Sequence, residues 1–333
     1  MVCASCTDHR APTSEKRGLK AQLTSLKGLL RLALYGLTLA TGLASFAAAG
    51  WPFELFVHFR VQYAVLASLL LAAFLLRKEK PAAILSAGLV ALQLWPAAGS
   101  MMVADASTAC SGPQFTIATV NLFFRNERHT EAIRWLDDLS ADIVVLQEVT
   151  PEWAAALSKL ERYAYVRQLV RNDPFGIAVI SRWPLTDLQA VDLANDGLPS
   201  LAGPVAVDGM PLYVLGMHTH TPLTAASARS RDASLTQGAA LLRAASGDAI
   251  AIGDLNLTAF SPMFDDFMSA AGLRDAFEGV GWQPTWLAGF WPLALRIDHV
   301  LVSSELCVEQ VEAGPDLGSD HRPVVARLRF SQH

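Results

Sequence analysis

Three apolar runs rich in Leu and Ala, residues 29–49, 61–76 and 82–103, fill most of the first third of the chain. A helix that crosses a bilayer needs about 20 such residues. The first and third runs meet that length, and the second is short, although Phe56 to Arg60 would extend it. Arg31, at an edge, is the one charge within them. The pattern predicts three transmembrane helices. After Gly112 and Pro113 the pattern changes to short strand-length runs and amphipathic helices. Strands are predicted over Gln114–Leu122, Asp142–Gln147, Tyr163–Val170, Gly176–Ser181, Gln189–Leu193, Gly203–Val207, Pro211–Met217, Ala249–Ile252, Ile297–Val302, Cys307–Glu312 and Pro323–Phe330. Helices are predicted over Thr130–Leu139, Pro151 to about Leu160, Ala225–Ala245 and Pro262–Ala271. Strands and helices in this mixed order favour an α+β fold with two sheets. The chain divides into a basic leader with three spans (1–103), a linker (104–112) and one large domain (113–333).

Charge sets the orientation. Arg10, Lys16, Arg17, Lys20, Lys27 and Arg31 precede or open the first run, and Arg77, Lys78 and Lys80 follow the second. The loop between these two runs holds only Glu54 and Arg60. Positive segments stay cytoplasmic, so the leader is expected inside and residues 104–333 outside, which in a Gram-negative bacterium is the periplasm. The basic leader is too long for a signal peptide, and two further runs follow it. Residues 104–333 carry 16 Lys and Arg against 27 Asp and Glu, a net of −11. Such a domain is a poor general partner for a nucleic-acid polyanion. Small phosphodiesters and lipid headgroups are compatible with it. Cys3 and Cys6 form a C-x-x-C with no second pair, which is weak evidence for zinc or redox use. Cys110 and Cys307 fall on the predicted outer side, where disulfides persist; the sequence leaves their pairing open.

Five short polar blocks then carry the candidate chemistry. They are Thr119-Val120-Asn121, Leu146-Gln147-Glu148, Gly253-Asp254-Leu255-Asn256, Arg296-Ile297-Asp298-His299 and Gly318-Ser319-Asp320-His321. Each follows or ends a predicted strand, where a sheet presents side chains to a cleft. Carboxylates, carboxamides and histidines gathered there are the groups that hold a hard cation and activate water on a phosphate ester.

In this order and at these separations the blocks resemble the endonuclease/exonuclease/phosphatase superfamily over residues 113–331. The run Pro284-Thr285-Trp286 before Arg296-Ile297-Asp298-His299-Val300-Leu301 is similar to a bacterial, membrane-anchored subgroup. The resemblance implies a four-layer α/β/β/α sandwich of two mixed sheets. It implies Glu148, Asn121 and Asp320 at the metal, His321 as general base with Asp298 orienting it, Asp254 and Asn256 on water or phosphate, and His218 on phosphate or the leaving group. His220 competes with His218 for that last role. Arg231 reads as a solvated helix arginine, with contact to a phosphate as the alternative, and His299 as packing beside the site. Asn121 is followed by Leu122-Phe123-Phe124 and not by the acidic pattern common in the DNA-repair branch. Trp282, Trp286, Phe290 and Trp291 read either as loop packing or as a rim for substrate or membrane.

Together these features predict a membrane-anchored phosphoesterase hydrolysing lipid-like or small phosphodiesters. Magnesium is the expected ion for all-oxygen ligands, with manganese or calcium as alternatives. The rival readings are an exported metal-dependent nuclease and a non-catalytic membrane-bound binding module.

Overall fold

The computed structural model describes the backbone of residues 14–100 and 110–331, and the side chains of 25–94 and 110–331. Cys3, Cys6, Arg10 and most of the linker lie outside the described residues.

Two six-stranded mixed sheets form the domain. In the first, β1 (Gln114–Asn121) runs parallel to β2 (Ile143–Gln147) and antiparallel to β12 (Val324–Phe330). Beyond β2 lie β4 (Ile177–Ser181) and β3 (Tyr165–Leu169), and beyond β12 lies β11 (Leu306–Ala313). The second sheet runs β5 (Gln189–Asp192), β6 (Pro199–Val207), β7 (Met210–His218), β8 (Asp248–Asp254), β10 (Asp298–Ser303), β9 (Leu273–Asp275). Only β7 and β8 pair in parallel there. β2, β4 and β8 are buried at every position, as continuous apolar strands between two covered faces must be.

The sheets pack through Ile117, Val145 and Val179 against Leu201, Val214, Ile252 and Val300. The outer face of the first sheet is covered by α4 (His129–Leu139) and α5 (Pro151–Leu157), that of the second by α6 (Ala225–Ala244) and α7 (Pro262–Ala271). The result is the expected α/β/β/α order of layers. Local chemistry sets the helix ends. Thr150 and Ser261 cap α5 and α7 ahead of a proline in the first turn, and Gly272 ends α7 at φ 71°. The three-residue β9, which the pattern of residues did not indicate, is held by β10. Cys110 and Cys307 form a disulfide, with Cα atoms 6.2 Å apart, tying the start of the domain to β11.

Before the domain come α1 (Ser14–Ala44), a 3₁₀ segment (Phe53–Phe59), α2 (Arg60–Leu76) and α3 (Lys80–Ser100). The helices pack through Leu34, Leu37, Leu70, Phe74, Ala83 and Leu89, and Gln93 donates to Thr41 between α3 and α1. Large apolar side chains point outward, including Leu32, Leu39, Leu69, Leu76 and Ile84. Among the described residues two helices are long and apolar enough to cross a membrane, Ser25–Ala44 and Phe53–Leu76; Lys80–Leu94 is apolar but shorter. Three such helices were expected.

Candidate active site

Strand register assembles one half of the site. His218 at the end of β7 lies opposite Asp254 at the end of β8, and Asp254 lies opposite Asp298 at the start of β10. Residues directly opposed on neighbouring strands have Cβ atoms about 5 Å apart, so the three side chains form a row across the second sheet. The first sheet supplies the other half. Asn121 pairs with Gln147 at the ends of β1 and β2, with Glu148 one residue on. Asn121 Nδ2 donates to Glu148 Oε1 at 3.0 Å and to Asp254 Oδ2 at 3.2 Å, joining the two sheets at one amide.

Three backbone positions are set by this convergence. Gly253 has φ 141°, and a Cβ there would fall 1.9 Å from the Met217 carbonyl oxygen, which explains the glycine before Asp254. Glu148 and Asn256 adopt left-handed φ values of 61° and 50°, which cost about 1–3 kcal/mol each unless surrounding bonds enforce them. Glu148 Oε2 accepts the Phe124 N–H at 2.8 Å. The Asn256 N–H donates to Asp254 Oδ1, and its Nδ2 donates to the Thr219 carbonyl at 2.8 Å.

His321 completes the cluster. Its Nδ1 is 2.8 Å from Asp298 Oδ2 and its Nε2 is 3.7 Å from Asp254 Oδ2. The Thr285 hydroxyl oxygen accepts the N–H groups of Ile297 and Asp298, and Trp286 Nε1 donates to Asp320 Oδ2 at 3.1 Å. Ser319 Oγ donates to the Asn121 carbonyl and accepts the His321 N–H. The positioning roles of Thr285, Trp286 and Ser319 were missed by sequence reasoning. Ser319 lay inside a named block and Thr285 and Trp286 in the Pro284-Thr285-Trp286 run, but nothing local told what they would bond.

The charges are strongly perturbed. Burial raises the Glu148 carboxyl and pushes Asp254 up to about 8, although His321 opposes the shift at Asp254. Burial works against charge at His321 too, but Asp298 and Asp254 overcome it and hold the imidazole up at about 10. Against the same burial, the charge and hydrogen bond of His321 keep Asp298 below the usual carboxylate range. Burial lowers His218 to about 4, with the His321 charge adding to it. His218 is therefore neutral, with Nε2 3.5 Å from Asp254 Oδ2.

The donor set fits a divalent cation. Glu148 and Asp254 are two buried carboxylates sharing one amide, and burial makes both resist ionisation even with the His321 charge nearby, which a bound cation would relieve. Asp320 Oδ1 is buried without a hydrogen-bond partner. Asp254, Asp298 and His321 also bring one ligand atom each within 4.8 Å of one another, but the bond from His321 to Asp298 engages two of those three groups.

Other sequence candidates make their bonds outside this network, although His220 packs on the same Phe175 ring as His218. His220 Nε2 pairs with Asp196 at 3.2 Å. His299 is buried, between the Leu257 carbonyl and Arg296, and stacks on Phe264. Arg231, expected as a solvated arginine, is 0% exposed and paired with Glu54. Trp282, Phe290 and Trp291 are exposed, whereas Trp286 is tied to Asp320.

With this geometry in place, a family model described as Endonuclease/Exonuclease/phosphatase family matches residues 118–321. The chain belongs to that family. Its members hydrolyse phosphate ester bonds with divalent metals, and this chain is a hydrolase of that kind. Similar solved structures include D. rerio TDP2 complexed with a single strand DNA product (17% identity, 65% of this chain and 99% of that one, TM-score 0.56). A family protein from Bacteroides thetaiotaomicron is 19% identical over 67% of this chain and 97% of that one, TM-score 0.56. Sphingomyelinase C from Streptomyces griseocarneus is 19% identical over 65% of this chain and 99% of that one, TM-score 0.50. At these identities they share the fold. No curated protein matches the chain.

Proposed function

We propose that the chain is a membrane-anchored, magnesium-dependent phosphodiesterase acting on lipid-like or small phosphodiesters outside the cytoplasmic membrane. The observation that carries it is the buried His321–Asp298 pair directed at Asp254, beside the Glu148–Asn121 corner. Asp298 binds Nδ1 of His321, so Nε2 is the nitrogen left to face water; since the metal-free imidazole is held up at about 10, it takes a proton from water only after giving up the one it carries. Asp254 aligns that water or the leaving oxygen. His218 and the free N–H of the Asn256 amide are donors for phosphate oxygens. Glu148, Asn121 and Asp320 would hold the ion, which supplies charge to a phosphate oxygen as negative charge develops.

Three observations support the anchor and its orientation. Leucines facing outward on α1, α2 and α3 suit a lipid surround better than water. Glu54, between α1 and α2, reaches Arg231 in the domain. That contact requires the first interhelical loop and the domain to be on one side of the membrane, as three passes from an inside leader provide. The Cys110–Cys307 disulfide favours an oxidising compartment.

The nuclease reading draws on the TDP2 complex with DNA, and the net charge of −11 over residues 104–333 weighs against a duplex-binding groove. The test is turnover by the full chain, with magnesium and with chelator, of a chromogenic diester, single- and double-stranded DNA and phospholipid vesicles. His321→Ala is the control. Preferential DNA cleavage would overturn the substrate reading, and no turnover of any of them would favour the binding module.

A further inference from the structure

The segment between α1 and α2 presents polar side chains to the catalytic domain. Glu54 and His58 in the 3₁₀ segment and Gln62 in the first turn of α2 all bond to it, in a stretch whose other polar residue is Arg60. Each meets a different part of the domain. Glu54 Oε1 accepts the Ser261 hydroxyl and Oε2 accepts Arg231, both at 2.5 Å. His58 Nδ1 lies 3.0 Å from Thr258 Oγ1 and 3.4 Å from the Thr258 nitrogen. Gln62 Nε2 donates to the Ala294 carbonyl at 2.7 Å. Glu54 and His58 are buried, 3% and 6% exposed.

These contacts bear on the site through short stretches of chain. Ser261 caps α7 by accepting the Met263 N–H, and its own N–H donates to the Thr258 carbonyl. Thr258 follows the left-handed Asn256 by two residues. On the opposite side, the same segment is held by Thr219 and by the bond from the Leu255 N–H to the Ile297 carbonyl. Residues 254–261 are therefore clamped between the catalytic sheet and the helical anchor. Gln62 holds Ala294, four residues before Asp298.

We propose that Glu54 and His58 are positioning residues, forming a latch by which the anchor holds the Gly253–Ser261 segment and thereby Asp254 and Asn256 in their working geometry. The proposal rests on the reading of these two residues as catalytic. It makes the anchor part of the enzyme, so that release of the latch loosens the site while the fold persists.

The experiment uses the full chain in detergent micelles, with magnesium and a soluble chromogenic diester, well below the unfolding temperature. Glu54→Gln and His58→Ala should each lower kcat by on the order of tenfold to a hundredfold, because sub-ångström misplacement of reacting groups is expensive. KM should stay within roughly twofold, since ground-state binding is untouched. Amide exchange in residues 254–261 should speed up in both variants while the central strands stay protected. The double variant Glu54→Leu with Arg231→Met replaces the ion pair by apolar groups, which can leave stability nearly unchanged, but does not restore the bond to Ser261. It should regain the melting temperature and not kcat. Recovery of kcat along with stability would overturn the latch and leave a packing role. Unchanged kcat and unchanged exchange in the single variants would do the same. If the parent protein turns over no phosphate ester, the catalytic reading fails, and exchange in 254–261 alone decides whether the clamp exists.

Discussion

His321 Nδ1 and Asp298 Oδ2 lie 2.8 Å apart, both buried, joining the loop before β12 to the first residue of β10 across the two sheets. The charge of Asp298 is a main reason the imidazole is held up at about 10 despite burial. Asp298→Asn should therefore lower the His321 pKa, read by NMR titration of the metal-free protein. Turnover should fall by about 10²–10⁴, the usual weight of a general base. An unshifted titration would remove Asp298 from that role.

The same shift has a stability consequence. A histidine raised from about 6.5 in the unfolded chain to about 10 in the fold contributes stability that is complete below pH 6.5 and lost as pH rises through about 10. Urea unfolding of the metal-free protein should show that decline, and Asp298→Asn should flatten it.

Asp254 adds a second decline of the same sign at lower pH. Its carboxyl is raised to about 8, so the folded state keeps a proton that the unfolded state has released, and stability falls as pH rises from about 4 to 8. Asp254→Asn should raise the melting temperature of the chelated protein near pH 8 while abolishing turnover. Magnesium should raise the melting temperature of the parent in proportion to its binding, and Glu148→Gln should weaken that response by at least about tenfold in apparent affinity.

Cys110 and Cys307 are separated by 197 residues. Cys110→Ser should destabilise the domain by about 2–4 kcal/mol, measured by unfolding without reductant. Reductant should lower the parent to the level of the variant and leave the variant unchanged.

Trp282, Phe290 and Trp291 form an exposed aromatic rim beside the first turn of α2, where Gln62 reaches the Ala294 carbonyl. Trp291→Ala with Phe290→Ala should reduce turnover of vesicle phosphodiesters and leave the soluble diester unaffected. Equal loss on both would assign the rim to folding or to the site itself.

Much of this protein could be read from residues in sequence. The switch from long apolar runs to short alternating elements marks where the apolar helices give way to the two sheets. Pro262–Ala271 was bounded by its own cap, proline and terminal glycine, all local signals. The blocks ending in Asn121, Glu148, Asn256, His299 and His321 named the chemistry, because strand ends and residue types are local properties. Some features depended on which distant segments meet. The register of β7 against β8 puts His218 opposite Asp254, whereas His220 pairs with Asp196, a distinction no local signal carries. Thr285 and Ser319 acquired positioning roles only once β10, β1 and the loop before β12 converged. Arg231 read as solvated because nothing near it in sequence can neutralise a buried guanidinium except Asp232. Its main partner, Glu54, lies 177 residues earlier, in the segment between α1 and α2. Local composition fixes the elements and their chemistry, whereas a buried charge or a long-range bond takes its meaning from the partner that folding brings to it.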